Sequence, residues 1–138
     1  MNSPAHDLVL WLVDQGELPA FGGDLDWAGH VQREPVEPDN VVTLYDTGGA
    51  EVELPREGQL ERPSFQIRVR GRSYQDCYNR QRSIRETLVE NTTFLSDEFR
   101  YFTPLPTSDI LDIGRDDNDR FRLTANYSIY RHQRGDLT

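Results

Sequence analysis

Apolar residues recur along this chain in two spacings, and the change of spacing separates helix from strand. Near the start, Leu8, Val9, Trp11, Leu12 and Val13 form one apolar face, because residues one helical turn apart share a side. Ser3 is placed to cap this helix, Pro4 suits its first position and Gly16 suits its end. A second helix is predicted from Ser73, with Asp76 three residues on as a variant of the capping box and Asn91 as the stop. Its inward stripe is Tyr74, Cys77, Tyr78, Gln81, Ile84 and Leu88.

Elsewhere the spacing drops to two. Phe65, Ile67 and Val69 alternate with Gln66, Arg68 and Arg70, which predicts a half-buried strand with an arginine-rich outer face, broken at Gly71. Phe121, Leu123, Ala125, Tyr127 and Ile129 alternate with Arg122, Thr124, Asn126, Ser128 and Tyr130 in the same way. The β-branched run Val41, Val42, Thr43, Leu44, Tyr45 is a third strand. Residues 27–33, 99–102 and 110–113 predict shorter ones, and the run from Asp116 to Asp119 predicts a turn. Residues 46–62 predict a long acidic loop punctuated by Gly48, Gly49, Pro55 and Gly58, with a hairpin extension over 51–54 as the alternative. The expectation is one α+β domain over residues 1–138, a mostly antiparallel sheet with two helices packed on one side and a flexible tail at 132–138.

Composition narrows the function. Hydrophobic residues make up 36% of the 138 and the mean hydropathy is −0.73, so the core is lean and the polar loops long. No apolar stretch reaches the ~18 residues of a membrane span, and the N-terminus, with Asp7 and no basic segment, does not read as a secretory signal. Cys77 is the single cysteine, so no intrachain disulfide forms. Asn91 and Asn126 open two glycosylation sequons, read as chance matches without an export signal. All 15 cations are arginine. They are also unevenly spread: residues 1–61 hold Arg33 and Arg56 against 13 acids, whereas 62–85 hold seven arginines against Asp76 alone. A chain polarised in this way suits charge-matched self-association better than nucleic-acid binding.

Catalytic chemistry finds little support. His6, His30 and His132 lie in a helix start, a weak strand and a tail, and nothing brings them to Cys77, which sits on an apolar stripe. Asp112, Asp116, Asn118 and Asp119 lack the order of a calcium loop, and no Cys/His set has zinc spacing. Gly22-Gly23 and Gly48-Gly49 lack the helix start and lysine of a phosphate loop. Asp39, Glu51 and Glu53 resemble only faintly the acidic cluster of a metal-dependent nuclease, whose chemistry wants a lysine that this chain does not have. No enzymatic activity, cofactor or metal is expected.

The arginines carry more information. Arg68 and Arg70 share one strand face, Arg120 and Arg122 another. If those strands are neighbours, like charges meet and something acidic must cover them. The acidic loop from Glu51 to Glu61 is the expected cover, within its own subunit or reaching the next, and a head-to-tail reach closes into a ring when the rotation allows.

Three segments together carry a family resemblance: Asn40-Val-Val-Thr-Leu-Tyr-Asp-Thr-Gly-Gly49; Arg62-Pro-Ser-Phe-Gln-Ile-Arg-Val-Arg-Gly-Arg-Ser-Tyr74 running into the second helix; and Asp112-Ile-Gly-Arg-Asp116 followed by Arg122-Leu-Thr-Ala-Asn-Tyr127. Over residues 40–131 the chain resembles the tail terminator (minor capsid or tail completion) proteins of long-tailed bacteriophages. Cys77 departs from the small residue expected there. The resemblance implies an α+β fold and a hexameric homo-oligomeric ring. That ring caps the tail tube, stops its polymerisation and offers a joining surface to the neck. The implied partners are further copies of the chain, the major tail tube protein and a neck connector protein, with DNA only passing through the lumen and no membrane. The implied location is the virion tail or neck, after synthesis in the host bacterial cytoplasm. The resemblance places Arg68, Arg70, Arg72, Arg120 and Arg122 near subunit contacts. It directs Asp46, Thr47, Gly48, Gly49, Glu51, Glu53, Glu57 and Glu61 toward the tube or lumen, where negative charge repels phosphates. Another neck or head-completion protein is the alternative, with a metal-dependent nuclease more remote.

Overall fold

In a computed structural model of the chain, residues 2–51, 60–91 and 93–134 are described. The first helix, α1 (Pro4–Asp14), begins as the sequence predicts, with the Ser3 hydroxyl accepting the His6 N–H at 3.3 Å. Ala5, Leu8, Val9 and Leu12 are its buried apolar residues, each large one stabilising the core by about 1.5–3 kcal/mol relative to exposure. The weak strand is short, β1 (Gly29–Val31), and is followed by β2 (Val41–Glu51) and β3 (Leu60–Gly71). After α2 (Tyr74–Glu90) come β4 (Thr93–Leu95), β5 (Phe99–Pro106), β6 (Leu111–Arg115) and β7 (Phe121–Gln133).

These strands form one seven-stranded sheet in the order β1-β2-β3-β7-β5-β4, with β6 also on β7. The sheet is mixed. β1 pairs with β2 in parallel, whereas β2–β3, β3–β7, β4–β5, β5–β7 and β6–β7 are antiparallel. Together with the two helices this makes an α+β fold. Register aligns the apolar rows: Leu44 faces Ile67 and Ile67 faces Ala125, while Val42 faces Val69 and Val69 faces Leu123. Those residues share one core cluster with Leu8 and Leu12 of α1 and Cys77, Ile84 and Leu88 of α2.

Three expectations need correction. Residues 46–51 and 60–62 are not loop: β2 and β3 pair out to Glu51 opposite Glu61, past a bulge between Asp46 and Gly48 where Gly48 takes a φ of +92°. β7 runs to Gln133, beyond the predicted start of the tail. Tyr74, placed on the inward stripe of α2, is 42% exposed, although its ring meets those of Tyr78 and Phe121. Glu53 and Glu57 lie outside the described residues.

α2 is anchored by more than apolar contact. The buried Gln81 donates its side-chain N–H groups to Ile67 O at 2.8 Å and Leu123 O at 2.9 Å. On the outer flank Glu17 accepts from Ser83 at 2.8 Å and Thr87 at 2.5 Å, and Arg80 lies over the Trp27 ring while donating to Glu17 O.

Candidate functional site

The two arginine-bearing strands are neighbours, and Arg70 stands in register with Arg122. Directly opposed like charges are destabilising unless each finds its own counter-charge. Arg70 is only 2% exposed. Its guanidinium donates to the carbonyls of Pro35 (2.6 Å), Val36 (3.3 Å), Pro38 (2.5 Å) and Asp39 (3.1 Å), and Glu34 lies 3.3 Å away. Burial pulls its pKa down, against the pull of Glu34. Arg120, 4% exposed, holds Asp116 at 2.9 Å, Val36 O at 2.6 Å and Asp39 at 3.4 Å. A buried guanidinium is tolerable only when its fork of donors is satisfied in this way.

For Arg70 and Arg120 the acidic cover comes from residues 34–39 with Asp116; of the expected cover, Glu51 to Glu61, residues 52–59 lie outside the described residues. Proline-rich and short, the 34–39 segment carries no pattern that pairs it with β3. Of the acids expected as cover, Glu61 meets Arg131 at 3.3 Å. Asp46 is engaged elsewhere: its Oδ1 accepts the Ala5 N–H of α1 at 2.8 Å, and its own N–H is taken by the Gln32 side chain. Thr47 and Gly48 are exposed, and Gly49 pairs with Pro63 in the β2–β3 ladder.

Three of the five sequence-selected arginines remain turned outward. Arg72 is an exposed partner of Asp39 at 2.9 Å and of Asn118 O at 3.1 Å. The Asp39 carboxyl is held below its usual pKa, first by the Arg72 hydrogen bond. Arg68 lies 5.2 Å over the Tyr45 ring, and its Nε is buried without a partner. Arg122 reaches the carbonyls of Gly114 and Arg115, both at 3.3 Å. Register puts Leu111 opposite Thr124 and Thr124 opposite Arg68, so this face also presents Leu111, 48% exposed. Leu105, opposite Ser128, is 44% exposed on the same face.

Sequence reasoning missed a second polar system. Asp7 accepts from the Tyr101 hydroxyl at 2.6 Å, Arg131 donates to that hydroxyl at 3.2 Å, and Arg131 continues to Glu61. Burial, then Asp7, pushes the Tyr101 hydroxyl far above its ordinary pKa. The chain of contacts spans 94 residues of sequence in one bond, which no local pattern reveals. Beside it, α1 and the β4–β5 turn enclose a groove of about 370 Å³ lined by Leu10, Trp11, Asp14, Leu95, Asp97 and Arg134, among others.

Burial, then Asp76, pushes the Cys77 thiol up to about 11, which keeps it protonated and unreactive. Among the described residues no group of three His, Cys, Asp or Glu side chains is disposed to hold a metal ion. No helix among them is long and apolar enough to cross a membrane.

No curated protein matches the chain. A family model described as bacteriophage tail terminator protein matches residues 20–131, which takes in all three segments that carried the resemblance. That match spans most of the sequence, and the chain belongs to the bacteriophage tail terminator proteins, a family of structural tail components and not of enzymes.

Proposed function

We propose that this protein ends a phage tail tube as one subunit of a homo-oligomeric ring, a hexamer, which halts tube polymerisation and offers a joining surface to the neck. The observation that carries the reading is the family match over residues 20–131. A sheet face that carries Arg68 and Arg122, with the exposed Arg72 just past the end of β3, supports it. The β2–β3 arm, which pairs out to Glu51 and Glu61, is the element that meets the tube. Arg70 and Arg120 act differently from the outward three: they fix the 34–39 segment and so shape the face from within. Negative-stain images of the pure protein, alone and with isolated tail tubes, test the reading. Rings, or caps at tube ends, are expected. A chain that stays monomeric and ignores tubes refutes it.

A further inference from the structure

The molecule carries two patches of opposite character on different elements. One is the groove between α1 and the β4–β5 turn. Leu10 (44% exposed) and Leu95 (60% exposed) give it apolar walls, and Asp14 and Asp97 give it exposed carboxylates at its rim. The basic group in its lining, Arg134, is turned to Ser96 O at 2.9 Å. The other patch is the sheet face where Arg68 and Arg122 stand among Leu105 and Leu111. There the Arg68 guanidinium lies over the Tyr45 ring with its Nε buried and without a hydrogen-bond partner among the described residues, and Arg122 donates to two carbonyls at 3.3 Å.

We infer that the groove of one copy receives the arginine–leucine face of the next, so that Asp14 and Asp97 meet Arg122 and Arg68 across the subunit boundary. Charge complementarity selects a second copy as the occupant: the groove offers carboxylates and apolar walls, and this same chain offers guanidinium groups interleaved with exposed leucines. A volume of about 370 Å³ is the size of pocket that takes a few large side chains. Because groove and face are different surfaces, each copy that fills a neighbour's groove leaves its own groove open. That is the condition for a head-to-tail contact, which closes when the rotation allows. The inference rests on the ring reading and adds to it which surfaces meet.

The absence of lysine makes the contact chemically addressable. An Arg122→Lys chain carries one side-chain amine, which a carbodiimide joins to any carboxylate it touches. Isotope-labelled and unlabelled chains are mixed, treated, and mapped by mass spectrometry. A mixed-isotope link from position 122 to Asp14 or Asp97 is expected, with loss of that link in an Asp14→Asn, Asp97→Asn background. Links only to other acids, or none, in a chain that still forms rings overturn the inference and leave the ring reading standing. The expected link in a chain that forms no ring and ignores tubes has the reverse meaning: the contact exists and the ring reading falls. A second arm reverses charge on each patch separately. Arg68→Glu with Arg122→Glu, and Asp14→Arg with Asp97→Arg, are each expected to lose self-association while keeping their circular dichroism. The equimolar mixture is expected to regain it, and failure of the mixture to recover counts against the pairing.

Discussion

Asp46 caps a helix that begins 42 residues before it, with its Oδ1 2.8 Å from the Ala5 N–H. Ser3 satisfies the next free donor, so a local and a distant side chain share the N-terminus of α1. A carboxylate there also complements the helix dipole. Asp46→Ala is expected to lower stability by about 1 kcal/mol. Asp46→Asn keeps an acceptor and loses less. Thermal melts of the two variants, side by side, check this.

Arg70 is the residue whose loss should hurt most. Its removal strands Glu34 and takes the Arg70 donor from the carbonyls of Pro35, Pro38 and Asp39, while Val36 O keeps Arg120. Breaking a buried pair from one side costs about 3–5 kcal/mol, and Glu34, being partly solvated, places Arg70→Met toward the lower end. Arg122→Met, in a solvent-facing setting, is expected to shift the urea midpoint little. If the two variants unfold alike, the division between internal and outward arginines is wrong.

Stability should fall in two stages as the solution is acidified. Burial, then Arg70, lowers the pKa of His30 below its ordinary 6.5. A histidine kept neutral by the fold contributes in full above 6.5, and that contribution drains away as pH falls through its folded pKa. Burial raises the Asp116 carboxyl, but hydrogen bonds from the Arg120 and Asn118 N–H groups and the Arg120 guanidinium together outweigh it, so its pKa lies below 3.8. Its share is therefore complete above 3.8 and is lost as pH falls through the lower folded value. Urea midpoints taken from about pH 8 down to about pH 3 should show both stages. His30→Asn should flatten the first and leave the second.

Gly71 closes β3 for a steric reason. A Cβ there would lie 2.7 Å from Asn40 Oδ1, 2.9 Å from Cys77 Sγ and 3.1 Å from the Trp27 ring. Gly71→Ala is expected to cost about 1–3 kcal/mol by overpacking. Pairing it with Cys77→Ala, which removes one of the three obstacles, should recover part of the loss. Denaturant titration of the single and double variants measures the recovery.

These residues show what a sequence discloses about itself. The caps of both helices, the inward rows of β3 and β7 and the Asp116–Asp119 turn were legible, because each depends on spacing within a few residues. The need for an acidic cover over the arginines was legible too, since like charge on paired strands demands it. Its identity was not: the partners of Arg70 lie 31 to 36 residues away in a segment with no periodicity. Asp46 read as a loop acid for the same reason, and the bulge beside it shows only once a partner strand fixes the register. The groove combines α1, the β4–β5 turn and Arg134, so no single stretch announces it.

Apolar helix–sheet contacts resist separation but tolerate sliding. Gln81 does not tolerate it: one amide gripping carbonyls on two adjacent strands fixes both the rotation and the axial position of α2. In the proposed ring, small differences in shape between copies would add up, and an angular error in each would leave a gap at the last joint. A directional bond at the centre of every copy would keep such parts interchangeable.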